Sequence, residues 1–261
     1  MATSMRLVKI IVRYRSLISE LVKGEVKLRY RGTWLGFLWS MLNPLIMTAV
    51  YTLVFSFYFR LGIPNYPVFL LCGLLPWIWF SEAIISGTNC LVDRPGFLRD
   101  AIFPSEVLPI TLIATAMMNY VFSLPVLLII LLVFKVTLGW SLLALPVIMA
   151  VQFSLTLGIV FFLGTYNVFF RDLRYIVQHI LLAGFFLTPI MYDISIIPAR
   201  FQLIYKLNPL MHIIEGYRQI FFRTDWPYWD NLGYVFVLGI VLVILGSRVF
   251  EAQKESFAEY L

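Results

Sequence analysis

Residues 29–59 read RYRGTWLGFLWSMLNPLIMTAVYTLVFSFYF, a cationic segment that turns within a few residues into a long apolar run. The run from Leu35 to Phe59 contains no Asp, Glu, Lys, Arg or His. A helix needs only about 20 mostly apolar residues to cross a bilayer, so the run predicts a first transmembrane helix over 35–59. The arginines before it, and Trp34 and Trp39 at the expected headgroup boundary, predict that the chain enters the membrane from the cytoplasm.

The composition of the 261-residue chain is that of an integral membrane protein. It is 61% hydrophobic and 13% charged, with a mean hydropathy of +0.89, which leaves too little polar surface for a water-soluble globule of this size. Residues 1–33 hold eight of the 20 Lys and Arg residues against two Glu residues, a surplus equal to the net charge of +6. This distribution indicates membrane orientation rather than nucleic-acid binding. Cys72 and Cys90 are expected to be buried free thiols.

The N-terminal segment predicts a cationic amphipathic helix over 5–31. Spacings of three and four residues place a set of apolar side chains on one helical face and the basic side chains on the other. The apolar residues are Leu7, Ile10, Tyr14, Leu17 and Leu21. A helix of this kind lies in the membrane interface with its apolar side toward the acyl chains. Gly24 and Glu25 weaken the pattern, so a break is expected there, and a solvated basic arm is the alternative.

Further apolar runs predict an all-α integral membrane fold with six transmembrane helices in a single domain. The spans predicted after the first are 68–92, 107–134, 141–170, 175–191 and 233–249. Residues 192–229 are too polar to span and too apolar for an ordinary loop, which predicts short re-entrant helices at the outer face. In this arrangement the cytoplasmic segments hold 14 Lys and Arg residues and the outer segments hold six, which predicts that both termini are cytoplasmic.

Five segments along the chain form a recognisable series. They are RYRGTWLGFLWSMLNPL (29–45), PVFLLCGLLPWIWFSEAI (67–84), FPSEVLP (103–109), FFRDLRYI (169–176) and LNPLMHIIEGYRQIFF (207–222). Together and in this order they resemble the membrane subunits of ATP-binding-cassette exporters for lipid-linked polysaccharides, which include O-antigen, capsule and teichoic acid permeases. The likeness is greatest to O-antigen permeases. The resemblance implies a multi-pass inner-membrane permease that forms a homodimer, pairs with two ATPase subunits and moves a polyprenyl-linked polysaccharide outward.

The chain lacks a sequence that would bind nucleotide phosphates. A phosphate-binding loop ends in Gly-Lys followed by Ser or Thr, and no Gly-Lys dipeptide occurs. We therefore expect a transporter subunit that is not an enzyme and holds no cofactor or metal, with ATP and Mg²⁺ bound by the partner. One alternative is a permease of the same fold for drugs or small lipids. The other is a membrane-embedded polyprenyl-sugar transferase, which would need acids or His clustered at one membrane face, whereas the acids here are scattered.

Two short charged turns, 93–103 and 171–174, are expected on the cytoplasmic side. Because each joins rigid helices, a push on either turn would move the helices, and the resemblance implies that the turns contact the ATPase. The candidate coupling residues are Asp93, Arg94, Phe97, Arg99, Asp100, Arg171, Asp172 and Arg174. The alternative is that these residues are only orientation signals and helix caps.

Substrate contacts are expected from an aromatic stripe and one acid. Tyr51, Phe55 and Tyr58 recur at i, i+4 and i+7 on the first predicted span, and aromatic faces along a channel would let sugar rings slide by stacking. Helix packing or lipid contact is the alternative for these rings. Glu82, in the second predicted span, is costly in hydrocarbon and should face the bundle interior or water, pairing with a cation or a sugar hydroxyl. A position near the cytoplasmic boundary is its alternative.

The outer region 192–229 supplies a third set of candidates, for an outer gate that contacts the polymer or its lipid carrier during release. The set comprises His212, Glu215, Tyr217 and Arg218. A local cap and salt-bridge group is the alternative. One His beside one Glu gives only weak support to a metal site or to acid–base catalysis.

Overall fold

The computed structural model describes residues 2–94 and 104–260, and every regular element in these ranges is helical, which confirms the all-helical prediction. The helices are α1 (Ala2–Arg13), α2 (Arg15–Tyr30), α3 (Trp39–Thr52), α4 (Tyr66–Asn89), α5 (Val107–Val133), α6 (Leu145–Phe169), α7 (Leu173–Leu187), α8 (Ala199–Leu207), α9 (Pro209–Arg218), α10 (Trp229–Gln253) and α11 (Phe257–Tyr260). Wider π-helical turns extend α3 through Leu53–Tyr58 and α9 through Gln219–Arg223.

Five helical segments in the described residues are long and apolar enough to cross a bilayer. They are Gly36–Tyr58, Tyr66–Asn89, Val107–Val133, Trp140–Phe169 and Trp229–Gln253. Helix α7 is also apolar but has only 15 residues. Its length of about 22 Å is less than the ~30 Å thickness of a hydrocarbon core. The span predicted over 175–191 therefore corresponds to a shorter helix, and a total of six spans stays a prediction.

The N-terminal amphipathic segment forms two helices. The interruption lies at Tyr14, whose backbone angles are φ −102° and ψ 16°, and the break expected at Gly24 is wrong because Gly24 lies inside α2. Glu25 does not disturb the helix, since Arg94 pairs with its carboxylate at 2.8 Å. The apolar side chains pack against other helices of the protein, with α1 against α10 and α2 against α5.

Small residues bring α6 and α10 into close contact. A Cβ atom on Gly158 would lie 2.5 Å from the Cβ of Leu242, and one on Gly239 would lie 2.9 Å from the backbone nitrogen of Leu155. Only glycine therefore permits this approach. The other long helices pack around α4, whose residues are mostly buried. Cys72 and Cys90 are buried free thiols, as predicted.

Both chain termini lie at one end of the bundle, called here the termini end. Glu106, just before α5, is nearly fully buried and lies 3.3 Å from Arg6 of α1 and 3.5 Å from Lys254 beyond α10. The turn between α6 and α7 joins them, because the Nη2 of Arg171 donates to the carbonyl oxygen of Tyr260 at 3.4 Å. The short helices α8 and α9 lie at the opposite end of the bundle.

Candidate functional site

A cavity of about 450 Å³ opens between the end of α2, the start of α3, and the middle of α4 and α5; we call it the polar cavity. Side chains spaced three or four residues apart on one helix share a face, which explains the contribution of each long helix. From α4 come Leu75, Trp79 and Glu82, and from α5 come Asn119 and Ser123.

Glu82 is half-buried in the polar cavity and has two nitrogen partners. Its Oε1 lies 2.5 Å from the Nη1 of Arg29 and accepts a hydrogen bond from the Nδ2 of Asn119 at 2.9 Å. Glu82 lies seven positions before Asn89, the last residue of α4, which corresponds to about 10 Å along the axis. The Glu82 carboxylate is therefore compensated by the positive charge of Arg29 and by the side-chain amide of Asn119.

Hydroxyl groups extend this hydrogen-bond network toward α3. The hydroxyl of Tyr30 donates to the Oδ1 of Asn119 at 3.4 Å, and the Ser123 hydroxyl lies 3.0 Å from the carbonyl oxygen of Ser40. Burial raises the pKa of the Tyr30 hydroxyl above its ordinary value, so the group remains a neutral donor. The contacts hold the junction between α2 and α3 against α5.

A second cavity, of about 180 Å³, lies on the other side of the Arg29–Glu82 pair, which lines both spaces. Its far wall contains Glu25, Asp93 and Arg94. The pair therefore separates the polar cavity from the space beside the first predicted cytoplasmic turn.

The structure describes part of the predicted coupling set. Asp93 and Arg94 follow α4, whereas Phe97, Arg99 and Asp100 lie outside the described residues. Arg94 is held by Glu25 of α2. Arg94 thereby ties the start of the first turn to α2, and Glu106, three residues beyond the end of the turn, pairs with Arg6 of α1.

The second predicted coupling turn lies at the surface of the termini end. Arg171, Asp172 and Arg174 are all exposed there. The guanidinium of Arg174 lies 4.5 Å from the centre of the Tyr175 ring, and its Nη2 donates to the Tyr175 hydroxyl at 2.6 Å. The three charged groups of this turn therefore lie at the surface.

The aromatic stripe of α3 differs from the predicted one in its last member. Tyr51 lies 5.8 Å from Phe185 of α7, and Phe55 stacks on Phe59 at 5.6 Å. The π-helical turns over Leu53–Tyr58 have more residues per turn than an α-helix, so i+7 from Tyr51 no longer falls on the same face. Tyr58 is accordingly 75% exposed.

The four outer-gate candidates do not meet at one surface. Arg218 is buried, donates from Nη2 to the carbonyl oxygen of Ile190 at 2.7 Å and lies 3.7 Å from the centre of the Phe69 ring. Tyr217 is buried beside it.

The other two outer-gate candidates have separate partners. A ring nitrogen of His212 lies 2.7 Å from the carbonyl oxygen of Lys206. Glu215 pairs with Arg223 at 2.9 Å. Their role in a gate stays a prediction.

Residues that line the polar cavity were missed from the sequence alone, apart from Glu82. Arg29 was used only as an orientation signal, and Trp39 only as a boundary residue. The sequence signal for this cavity was Asn43 and Asn119, two amide side chains inside otherwise apolar runs. Among the described residues, no three His, Cys, Asp or Glu side chains lie close enough together to hold a metal ion.

Comparison with known proteins identifies the family. Residues 16–222 match the family described as ABC-2 type transporter. The chain belongs to this family. The ABC-2 match begins in the first turn of α2 and extends past α9, so it contains the whole polar cavity. The resemblance to exporter membrane subunits is thereby confirmed.

Individual relatives of this ABC-2 chain match it over nearly its full length. It is 39% identical to the O-antigen export system permease protein RfbA of Myxococcus xanthus, covering 97% of this chain and 98% of the relative. The protein of the same description from Klebsiella pneumoniae is 32% identical, over 94% and 95% of the two chains. The polysialic acid transport protein KpsM of Escherichia coli is 23% identical, over 92% and 94%.

Proposed function

We propose that this ABC-2 chain is the membrane permease of an ATP-driven exporter that carries a lipid-linked, O-antigen-like polysaccharide from the cytoplasm across the inner membrane. The observation that carries the proposal is the near full-length similarity to proteins described as O-antigen export permeases. The polysialic acid transport protein supports the wider class of cargo, since it too handles a polysaccharide. The five long apolar helices supply a framework that crosses the bilayer.

The energy for transport comes from a partner ATPase in this proposal. The chain has no Gly-Lys dipeptide for a phosphate-binding loop, so the partner binds ATP and Mg²⁺. In this proposal the partner is an ATPase subunit present in two copies. These subunits dock on the turns 93–103 and 171–174. The exposed charges of Arg171, Asp172 and Arg174 support the second docking point.

A second copy of the chain completes the conduit. Few side chains of Gly36–Tyr58 are buried in the single chain, which supports a position of α3 at the boundary between two copies. Tyr51 and Phe55 then line the path, and the cytoplasmic side of the bundle is the termini end. Helix α9, which carries His212, Glu215, Tyr217 and Arg218, forms the outer gate.

The test is reconstitution of the chain with its ATPase in proteoliposomes. Lipid-linked polysaccharide is added on the ATPase side, and export is measured as protection of the glycan from an added glycosidase. We expect protection that requires ATP and both proteins, with an ATPase variant unable to hydrolyse ATP as the control. Export by the chain alone, or ATP hydrolysis stimulated by small hydrophobic compounds but never by the glycan lipid, would overturn the proposal.

A further inference from the structure

We propose that the polar cavity binds one neutral sugar unit of the lipid-linked glycan, as a recognition site on the cytoplasmic side of the conduit. This inference rests on the proposed function and specifies which part of the substrate the cavity recognises. The cavity volume of about 450 Å³ lies in the range of roughly 300–1,000 Å³ that is typical of small-molecule sites.

The chemistry of the cavity wall suits a sugar. Trp39 and Asn43 are exposed on the wall formed by the start of α3, opposite Glu82 and Asn119. An indole face packs against the C–H face of a pyranose, while amide and carboxylate groups take its hydroxyls as donors and acceptors. Thr33 adds an exposed hydroxyl at the rim. The site thus combines an aromatic platform with directional polar groups.

The charge of the cavity disfavours the phosphate groups of the lipid carrier as its occupant. Arg29 and Glu82 are the charged residues of the wall, and they neutralise each other at 2.5 Å. A phosphate is bound best by cations that lack an acidic partner, and here it would also meet the Glu82 carboxylate. A neutral polyhydroxyl ligand accepts from Arg29 and donates to Glu82 without breaking their pair.

Access to the cavity also fits a substrate that approaches from the membrane surface. The wall contains the last residues of α2 and the first residues of α3, where the chain passes from the amphipathic helices to the first long apolar helix. A sugar next to a lipid anchor would lie at this depth while the lipid stays in the bilayer.

The proposal is tested by lipid binding to the chain and its ATPase in nanodiscs. One probe is a polyprenyl diphosphate that bears a single neutral hexose, and the other is the same polyprenyl diphosphate without sugar. We expect Trp39→Ala and Asn43→Ala each to weaken binding of the hexose-bearing probe about tenfold, the loss expected for one good contact. Binding of the sugar-free probe should stay unchanged. Trp34→Ala is the matched control, because Trp34 is 97% exposed and lies outside the cavity.

Glu82→Gln distinguishes a sugar site from a phosphate site. The substitution removes the carboxylate and leaves Arg29 without its charged partner. A sugar site loses affinity for the hexose-bearing probe, whereas a phosphate site gains affinity for both probes. Gain for both probes would overturn the proposal.

Two further outcomes separate this proposal from the proposed function. If the wild-type complex exports glycan while Trp39→Ala and Asn43→Ala bind the hexose-bearing probe normally, the cavity proposal is wrong and the exporter function stands. If the wild-type complex neither binds the hexose-bearing probe nor exports glycan, both are wrong.

Discussion

Reversing the charge of Arg94 is expected to separate ATP hydrolysis from export. Arg94 is the second residue of the turn 93–103 and pairs with Glu25 of α2 at 2.8 Å, with about a quarter of each side chain exposed. Two unit charges about 4 Å apart attract by about 4 kcal/mol at an effective dielectric constant of about 20. Solvent screening and lost side-chain entropy reduce the net value to about 1 kcal/mol. Because R94E replaces attraction by repulsion, we expect a change of about 2 kcal/mol, or roughly 30-fold in the paired population.

The assay is the amount of polysaccharide exported for each ATP hydrolysed in proteoliposomes. With R94E the ATPase still turns over, but movement of the turn no longer reaches α2, so this ratio falls severalfold. The double reversal E25R/R94E restores the pair and should recover at least half of the loss. A ratio that stays at the wild-type value in R94E, or a double reversal as impaired as R94E, would refute the reasoning.

A charge reversal on the same helix provides the control. Glu20 and Lys23 of α2 pair at 2.8 Å, but each side chain is 68% exposed and the two belong to a single helix. E20K/K23E should leave the ratio of export to ATP hydrolysis unchanged. A loss equal to that of R94E would mean that any change of charge on α2 disturbs the complex.

Four substitutions are expected to change stability, measured as thermal unfolding of the purified protein in detergent. E106Q should lower stability by about 1–3 kcal/mol, because the nearly buried carboxylate loses its charge beside Arg6 and Lys254. An unchanged melting temperature would mean that these ion pairs do not stabilise the protein. G158A should cost about 1–3 kcal/mol by forcing α6 from α10, whereas G24A, with open space around it, should stabilise by up to about 1 kcal/mol. R218K should cost about 1–2 kcal/mol, since an ammonium group cannot both cover the Phe69 ring and keep the geometry of the guanidinium hydrogen bond.

Hydropathy predicted the long apolar helices because the length and apolar composition of a membrane-spanning helix can be read from its own segment of sequence. It also predicted that Glu82 would need a compensating partner, but not which one. Arg29 lies 53 residues earlier in the chain, and only the packing of α2 beside α4 and α5 brings the two together. Asn119 joins them from a third helix. No local pattern carries this information.

Local backbone geometry accounts for the other differences from the sequence analysis. The helical wheel that placed Tyr58 with Tyr51 assumes 3.6 residues per turn, and the π-helical turns over Leu53–Tyr58 change that number. The break at Tyr14 likewise could not be located from residue type, since Gly24 is the weaker helix former and yet lies inside α2.

The spacing of two ion pairs on α2 links the first turn to the polar cavity. Glu25 pairs with Arg94 of the turn, and Arg29 pairs with Glu82 of the cavity. The two residues of α2 are four positions apart, so they share one helical face and lie about 6 Å apart along its axis. A rotation or shift of α2 large enough to release one pair strains the other. We predict that a ligand that favours one position of the Arg29–Glu82 pair also biases the turn. Because coupling free energies are reciprocal, a partner that moves the turn should then change the affinity of the cavity by the same factor.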